Sequence, residues 1–177
     1  MNSELPDGYY IGGHGYAGLR LPVDWFADLA PNIMLDGVEY GIKDEFHVTI
    51  INARGVAKII AENTNVPAEE LENEIHTILG EYLTHTPMPF LHFVDDVRLA
   101  IKNERKSLAI RCELSNLKPF FKTLREKFQC AVALQPAHVS LYTMTGLAVG
   151  IDSVEQMESY EQVQLPEIAQ ILVAATQ

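Results

Sequence analysis

The chain has only two cysteines, 13 lysines and arginines in 177 residues, and no apolar run approaching the length of a membrane span. Cys112 and Cys130 sit in apolar surroundings without CxxC spacing or a neighbouring histidine, which argues against a disulfide or metal site and leaves two buried thiols. The opening "MNSELPDGYY" is acidic and polar, the reverse of a secretory signal's basic and apolar start, so the expectation is a cytoplasmic protein that does not enter a membrane. No linker or low-complexity stretch divides the chain, and residues 1–177 are expected to form one domain around one core.

The shortage of positive charge is uneven. The formal net charge of −11 opposes general attraction to a polyanion, yet nine basic residues against three acidic ones lie between Arg98 and Lys127. The rest of the chain holds four basic and 21 acidic residues. Such a segment is either a solvated face or one that attracts phosphate, and both readings stay open. Glycine is concentrated in "DGYYIGGHGYAGLRLP", an edge strand and turn, but Gly12, Gly13, Gly15 and Gly18 match neither a phosphate-binding loop nor a dinucleotide fingerprint. His14 within it is a weak candidate.

Hydrophobic periodicity predicts a mixed chain. "EFHVTII" alternates Phe46, Val48 and Ile50 with Glu45, His47 and Thr49, as a half-buried strand does. Leu71, Ile75, Ile78, Leu79, Tyr82 and Leu83 recur at helical spacing, with Pro67 near the start, Glu69 and Glu70 in the first turn, and Pro87 and Pro89 beyond the end. From Phe90 to Leu114 the period returns to two on either side of "KNERK", predicting a hairpin. Ser115 or Asn116 can cap a helix carrying Leu117, Phe120, Phe121, Leu124 and Phe128 on one stripe. "AHVSLYT" reads as a strand, Val154 to Tyr160 as a short acidic helix, and "AQILVAAT" as a closing strand. The expected class is α+β with strands folding back as hairpins.

Against this background one phrase occurs twice: "FHVTI" at Phe46–Ile50 and "AHVSL" at Ala137–Leu141, 91 positions apart. A histidine in an apolar run is most often a hydrogen-bonded core residue, and an acidic interaction protein with such histidines is the plainest reading. In a strand, however, residues i and i+2 share a face, so His47 projects with Thr49 and His138 with Ser140. Two strands side by side would then bring two imidazoles and two hydroxyls to one small site. That set suits phosphodiester cleavage: one imidazole removes a proton from the attacking oxygen, the other delivers one to the leaving oxygen, and the hydroxyls hold the non-bridging oxygens. No metal or other cofactor is needed, and no ligand-spaced cluster of His, Cys or carboxylates offers one.

The paired motifs resemble those of the two-histidine (2H) phosphoesterase superfamily, which includes 2',5' RNA ligase-like proteins and cyclic phosphodiesterases. Its signature is two H-x-[ST] motifs flanked by apolar residues in a domain of about this length. The resemblance implies a bilobal α+β fold, two antiparallel sheets with pseudo-two-fold symmetry around a central groove and helices outside. It also implies His47 and His138 as the catalytic pair, Thr49 and Ser140 as phosphate ligands, and hydrolysis of a 2',3'-cyclic phosphate or 2',5'-type phosphodiester. The expected partner is a nucleotide or short oligonucleotide bearing such a linkage, with RNA ends a further candidate, and the protein is expected to be a monomer. The alternatives are a ligase-like RNA-processing protein and a non-catalytic nucleotide- or RNA-binding module. Many family members place a basic residue after the second motif where this chain has Tyr142. By strand alternation Tyr142 shares a face with His138 and Ser140, which makes it a candidate to stack on a base or to bond the phosphate.

Overall fold

The computed structural model describes residues 5–176 and is α+β, with two antiparallel sheets. The smaller sheet has three strands in the order β1 (Tyr9–Ile11), β2 (Tyr16–Arg20) and β5 (His47–Asn52). The larger has six in the order β3 (Asn32–Leu35), β4 (Val38–Ile42), β8 (His138–Thr143), β7 (Arg105–Leu114), β6 (Phe90–Lys102) and β9 (Glu161–Val163). Among the described residues no helix is long and apolar enough to cross a membrane.

Local chemistry explains most of these elements. The β6–β7 hairpin turns at Asn103 and Glu104 inside "KNERK", with Lys102 paired to Arg105 and Asn103 in the left-handed region at φ 57°. Helix α2 (Ala68–His85) starts after Pro67 and buries Leu71, Ile75, Ile78, Leu79 and Leu83, the stripe expected from spacing. It packs on α1 (Ala53–Ala61), which leaves β5 without a loop because the Asn52 side chain accepts from the Gly55 amide at 3.0 Å and caps it. Neither α1 nor the β3–β4 hairpin was expected. That hairpin turns on Asp36 and Gly37, both with positive φ, the pair a two-residue turn of this hand demands.

Two expectations are corrected. The helix α3 (Leu117–Phe128) has Asn116 at its cap position in the left-handed conformation, but the Asn116 side chain donates to the Pro87 carbonyl at 2.8 Å and caps nothing. The closing segment is not a strand but a helix, α5 (Pro166–Ala175): Pro166 pre-sets the first turn, and Ile168, Ala169 and Leu172 recur on one buried side. The last strand is instead β9, which pairs with β6 at Val97, Arg98 and Leu99. Between β8 and α5 lies α4 (Val154–Ser159), capped by the Ser153 hydroxyl.

The two histidine strands share an irregularity. In the β2–β5 ladder Ala17 pairs with Ile51 and Gly18 with Thr49, leaving Ile50 as an extra residue. In the β7–β8 ladder Leu108 pairs with Tyr142 and Ala109 with Ser140, leaving Leu141 extra. Each bulge falls immediately after the hydroxyl residue and resets the alternation. Consequently Ile50 and Ile51 are both in the core, as are Leu141 and Tyr142. The histidine and hydroxyl share one face before each bulge, and the strand is anchored by apolar side chains after it.

Candidate active site

The register on the smaller sheet places Tyr10 opposite Gly18, Gly18 opposite Thr49, and Arg20 opposite His47. On the larger sheet His138 pairs with Arg111 and Ser140 with Ala109. Strands β5 and β8 approach one another where the sheets meet, without sharing a ladder. The end of β4 makes the junction: the Lys43 amide donates to the Leu141 carbonyl at 2.9 Å, and four residues later the chain enters β5 at His47.

Between the two strands is a cleft of about 300 Å³ whose lining includes His47, Thr49, His138 and Ser140. All four motif side chains therefore reach one site from two different sheets. Tyr142, expected beside them, does not. The bulge at Leu141 turns it into the core, where it is fully buried and its hydroxyl donates to the Ala30 carbonyl at 2.9 Å. Its expected substrate contact is thereby corrected: strand alternation holds only while the ladder is regular. His14 stands exposed on the cleft rim, carried by the glycine-rich turn.

The imidazoles sit in contrasting surroundings. His138 is buried, and its Nδ1 lies 2.8 Å from the Pro136 carbonyl, an acceptor that requires Nδ1 to carry a proton. Nε2 is then the nitrogen available for proton exchange. Burial pushes the His138 pKa down and Lys43 adds to this, but the Pro136 carbonyl and the Asp152 carboxylate favour the charged form. Asp152 is held by the Asn52 amide at 3.0 Å, the same side chain that caps α1, so the smaller sheet fixes an anion that acts on a histidine of the larger one. His47 is half-buried, with its ring edge-to-face on Tyr10 at a centroid distance of 5.4 Å and 76° between planes. Burial pushes its pKa down to about 4, and its charged neighbours Lys43, His138 and Arg20 all act in the same direction.

Several groups at the site were missed from the sequence. Lys43 and Arg105 both line the cleft. Burial lowers the Lys43 pKa, opposed by Glu45. Arg105 lies in the basic segment, whose other members are largely engaged elsewhere. Arg98 and Arg111 bind Asp96 at 2.6 and 3.2 Å, Lys127 pairs with Glu74 at 2.9 Å, Lys122 with Glu126 at 3.7 Å, and Arg125 donates to the Val132 carbonyl at 2.7 Å. The segment is thus no continuous cationic track. Among the described residues no group of three or more His, Cys, Asp or Glu side chains is arranged to hold a metal ion. No protein-family model matches the chain, and no curated protein or solved structure is detectably similar to it.

Proposed function

We propose that this protein is a phosphodiesterase of the two-histidine type, which hydrolyses a 2',3'-cyclic phosphate or 2',5'-type phosphodiester of a nucleotide or short oligonucleotide. The observation that carries the reading is the convergence of His47, Thr49, His138 and Ser140 on one cleft from strands of different sheets. The identical placement of a bulge after each hydroxyl supports a bilobal arrangement in which β5 and β8 are pseudo-two-fold equivalents.

The contrast between the imidazoles favours one division of roles. Burial first, and then Lys43 and Arg20, keep His47 neutral at pH 7, the state a general base requires. Burial pushes His138 down as well, but it alone has a carbonyl and a carboxylate favouring its proton, so of the two it is the better placed to act as the acid once an anion is bound. In the forward reaction His47 takes a proton from water as the water oxygen bonds to phosphorus. The bond from phosphorus to the ribose oxygen then breaks, and that oxygen receives the proton from Nε2 of His138. The product is a phosphomonoester, and the two histidines end with exchanged protonation states. Thr49 and Ser140 donate to the non-bridging oxygens, and the Lys43 ammonium offsets their charge. A bound phosphate anion raises both imidazole pKa values, bringing His138 toward the protonated state it needs.

The site chemistry also favours hydrolysis near a chain end over processing of long RNA. Counterion-driven binding needs many free cations, and most of the basic segment is already paired or bonded. The test is turnover of a panel of cyclic mononucleotides, 2',5'-linked dinucleotides and longer RNAs with the same end, in excess chelator and at several salt concentrations. Metal-insensitive turnover of the small substrates, with a salt slope of about one to three phosphates, is expected. Activity that needs a divalent ion, or efficiency that climbs with RNA length, would replace this reading with metal catalysis or a ligase-like role.

A further inference from the structure

His47 is a wall between two cavities. Beyond it, away from the cleft, lies a second hollow of about 330 Å³ bounded by Tyr10, Arg20, Leu21, Val23, Glu45 and Phe46 together with His47. The reaction described above leaves it unused, although its volume is within the range of small-ligand sites. Leu21 and Phe46 are buried and make an apolar floor. The Tyr10 ring stands as a flat wall over Gly18, where a Cβ would lie 2.9 Å from the ring's Cε1, so glycine is what admits the ring to this position. The Arg20 guanidinium lies 5.3 Å from the Tyr10 centroid.

The polar groups of the hollow have a definite complement. Burial pushes the Tyr10 hydroxyl up to about 12, so it remains neutral, and Arg20 and Glu45 line the same hollow, which sets a donor fork and a carboxylate beside it. Among the described residues neither Arg20 nor Glu45 is engaged in an ion pair. A ligand that fits is flat and apolar on its faces, with two adjacent N–H donors for the carboxylate and acceptors for the guanidinium. Guanine meets these terms: N1–H and the N2 amino group face a carboxylate together, and O6 and N7 match a guanidinium fork. Adenine, cytosine and uracil each lack donors on two adjacent atoms. A phosphodiester seated against His47 and Thr49 has one arm on this side of the imidazole.

We propose that the hollow bounded by Tyr10, Arg20 and Glu45 is a nucleobase subsite selective for guanine, so that the substrate carries a guanosine beside the scissile phosphate. This rests on the phosphodiesterase reading of the adjoining cleft, and the test keeps the two separable. Affinities for 2'-GMP, 2'-AMP, 2'-CMP and 2'-UMP, and turnover of the four 2',3'-cyclic mononucleotides, are measured for the wild type and for Glu45→Gln. Glu45 is exposed and is none of the four motif groups, and its influence on Lys43 concerns the phosphate that all four nucleotides share, so a loss confined to guanine reports on the base alone. The expected result is a guanine preference of at least about tenfold in affinity, lost in Glu45→Gln while the other three nucleotides stay within about twofold. Equal wild-type affinities, or a loss in Glu45→Gln shared by all four nucleotides, would overturn the subsite. Selective guanine binding without turnover of any cyclic substrate would uphold the subsite and remove the catalytic reading instead.

Discussion

Replacing His47 by glutamine should make the protein relatively more stable in acid, because the native fold holds this imidazole where it resists protonation. An unfolded histidine titrates near 6.5, whereas His47 in the fold titrates at about 4. Between those values the unfolded chain binds a proton that the native state refuses, so native stability falls as the pH falls through that window. Above pH 7 the contribution is negligible; at pH 5 it is about 2 kcal/mol, approaching about 3 kcal/mol below pH 4. Water reaches part of the ring and screens some of this, so the readable effect between pH 8 and pH 5 is about 1 to 2 kcal/mol. Urea unfolding of the wild type and His47→Gln at pH 5, 6, 7 and 8 measures it. The stability difference between the two proteins should shift in favour of the variant by that amount on acidification. His76, also pushed down by burial, is present in each protein and cancels. A stability difference that stays constant within about 0.5 kcal/mol from pH 8 to pH 5 would show that His47 is not held in a destabilised, base-ready state.

Three further outcomes are expected. His47→Ala and His138→Ala should each lower turnover at least about a hundredfold with circular dichroism unchanged, while Thr49→Ala and Ser140→Ala cost less individually; retention of activity by either histidine variant would end the paired mechanism. Asp152→Asn removes the carboxylate that favours protonated His138, so the basic limb of the kcat/KM profile should move to lower pH, and an unmoved limb would take Asp152 out of the acid's environment. Tyr142→Phe should lose about 0.5 to 1.5 kcal/mol of stability with the hydrogen bond to Ala30, yet leave KM and kcat within about twofold, a pattern that enzyme kinetics beside thermal melts will check.

What the sequence revealed and what it hid divide along the range of the interactions involved. The two motif strands, α2, the β6–β7 hairpin and α3 each carry an apolar repeat long enough to declare its period. The final helix was misread because "AQILVAAT" is apolar on nearly every side, and a short apolar run has no period to distinguish strand from helix. Pro166 ahead of it was the signal that could have decided the matter. Asp36-Gly37 was likewise readable as a hairpin turn. Of the candidate site, the four motif residues were legible because their pattern is local, and Tyr142 was misplaced because a bulge depends on the partner strand. Lys43, Arg105, Tyr10 and Arg20 were hidden for the same reason: each reaches the site through pairing or loop placement, and nothing in their immediate neighbours marks them.

The first hairpin of the larger sheet comes from the wrong half of the chain. Strands β3 and β4 precede β5 in sequence, yet β4 pairs with β8 through Gly41–Thr143 and Ile42–Tyr142, a ladder closed across about a hundred intervening residues. A polypeptide growing from its N-terminus must therefore carry a finished pair of strands with one open edge until the residues around Tyr142 have been made. During that interval Lys43 has no Leu141 carbonyl to bind, the junction that aims His47 is unmade, and the edge of β4 is available to any other extended segment. The long closure carries an entropic cost, since bringing distant segments together precedes the contacts that reward it. The cleft thus cannot be complete until the C-terminal half of the chain has been made, from a strand that waits and a strand that arrives.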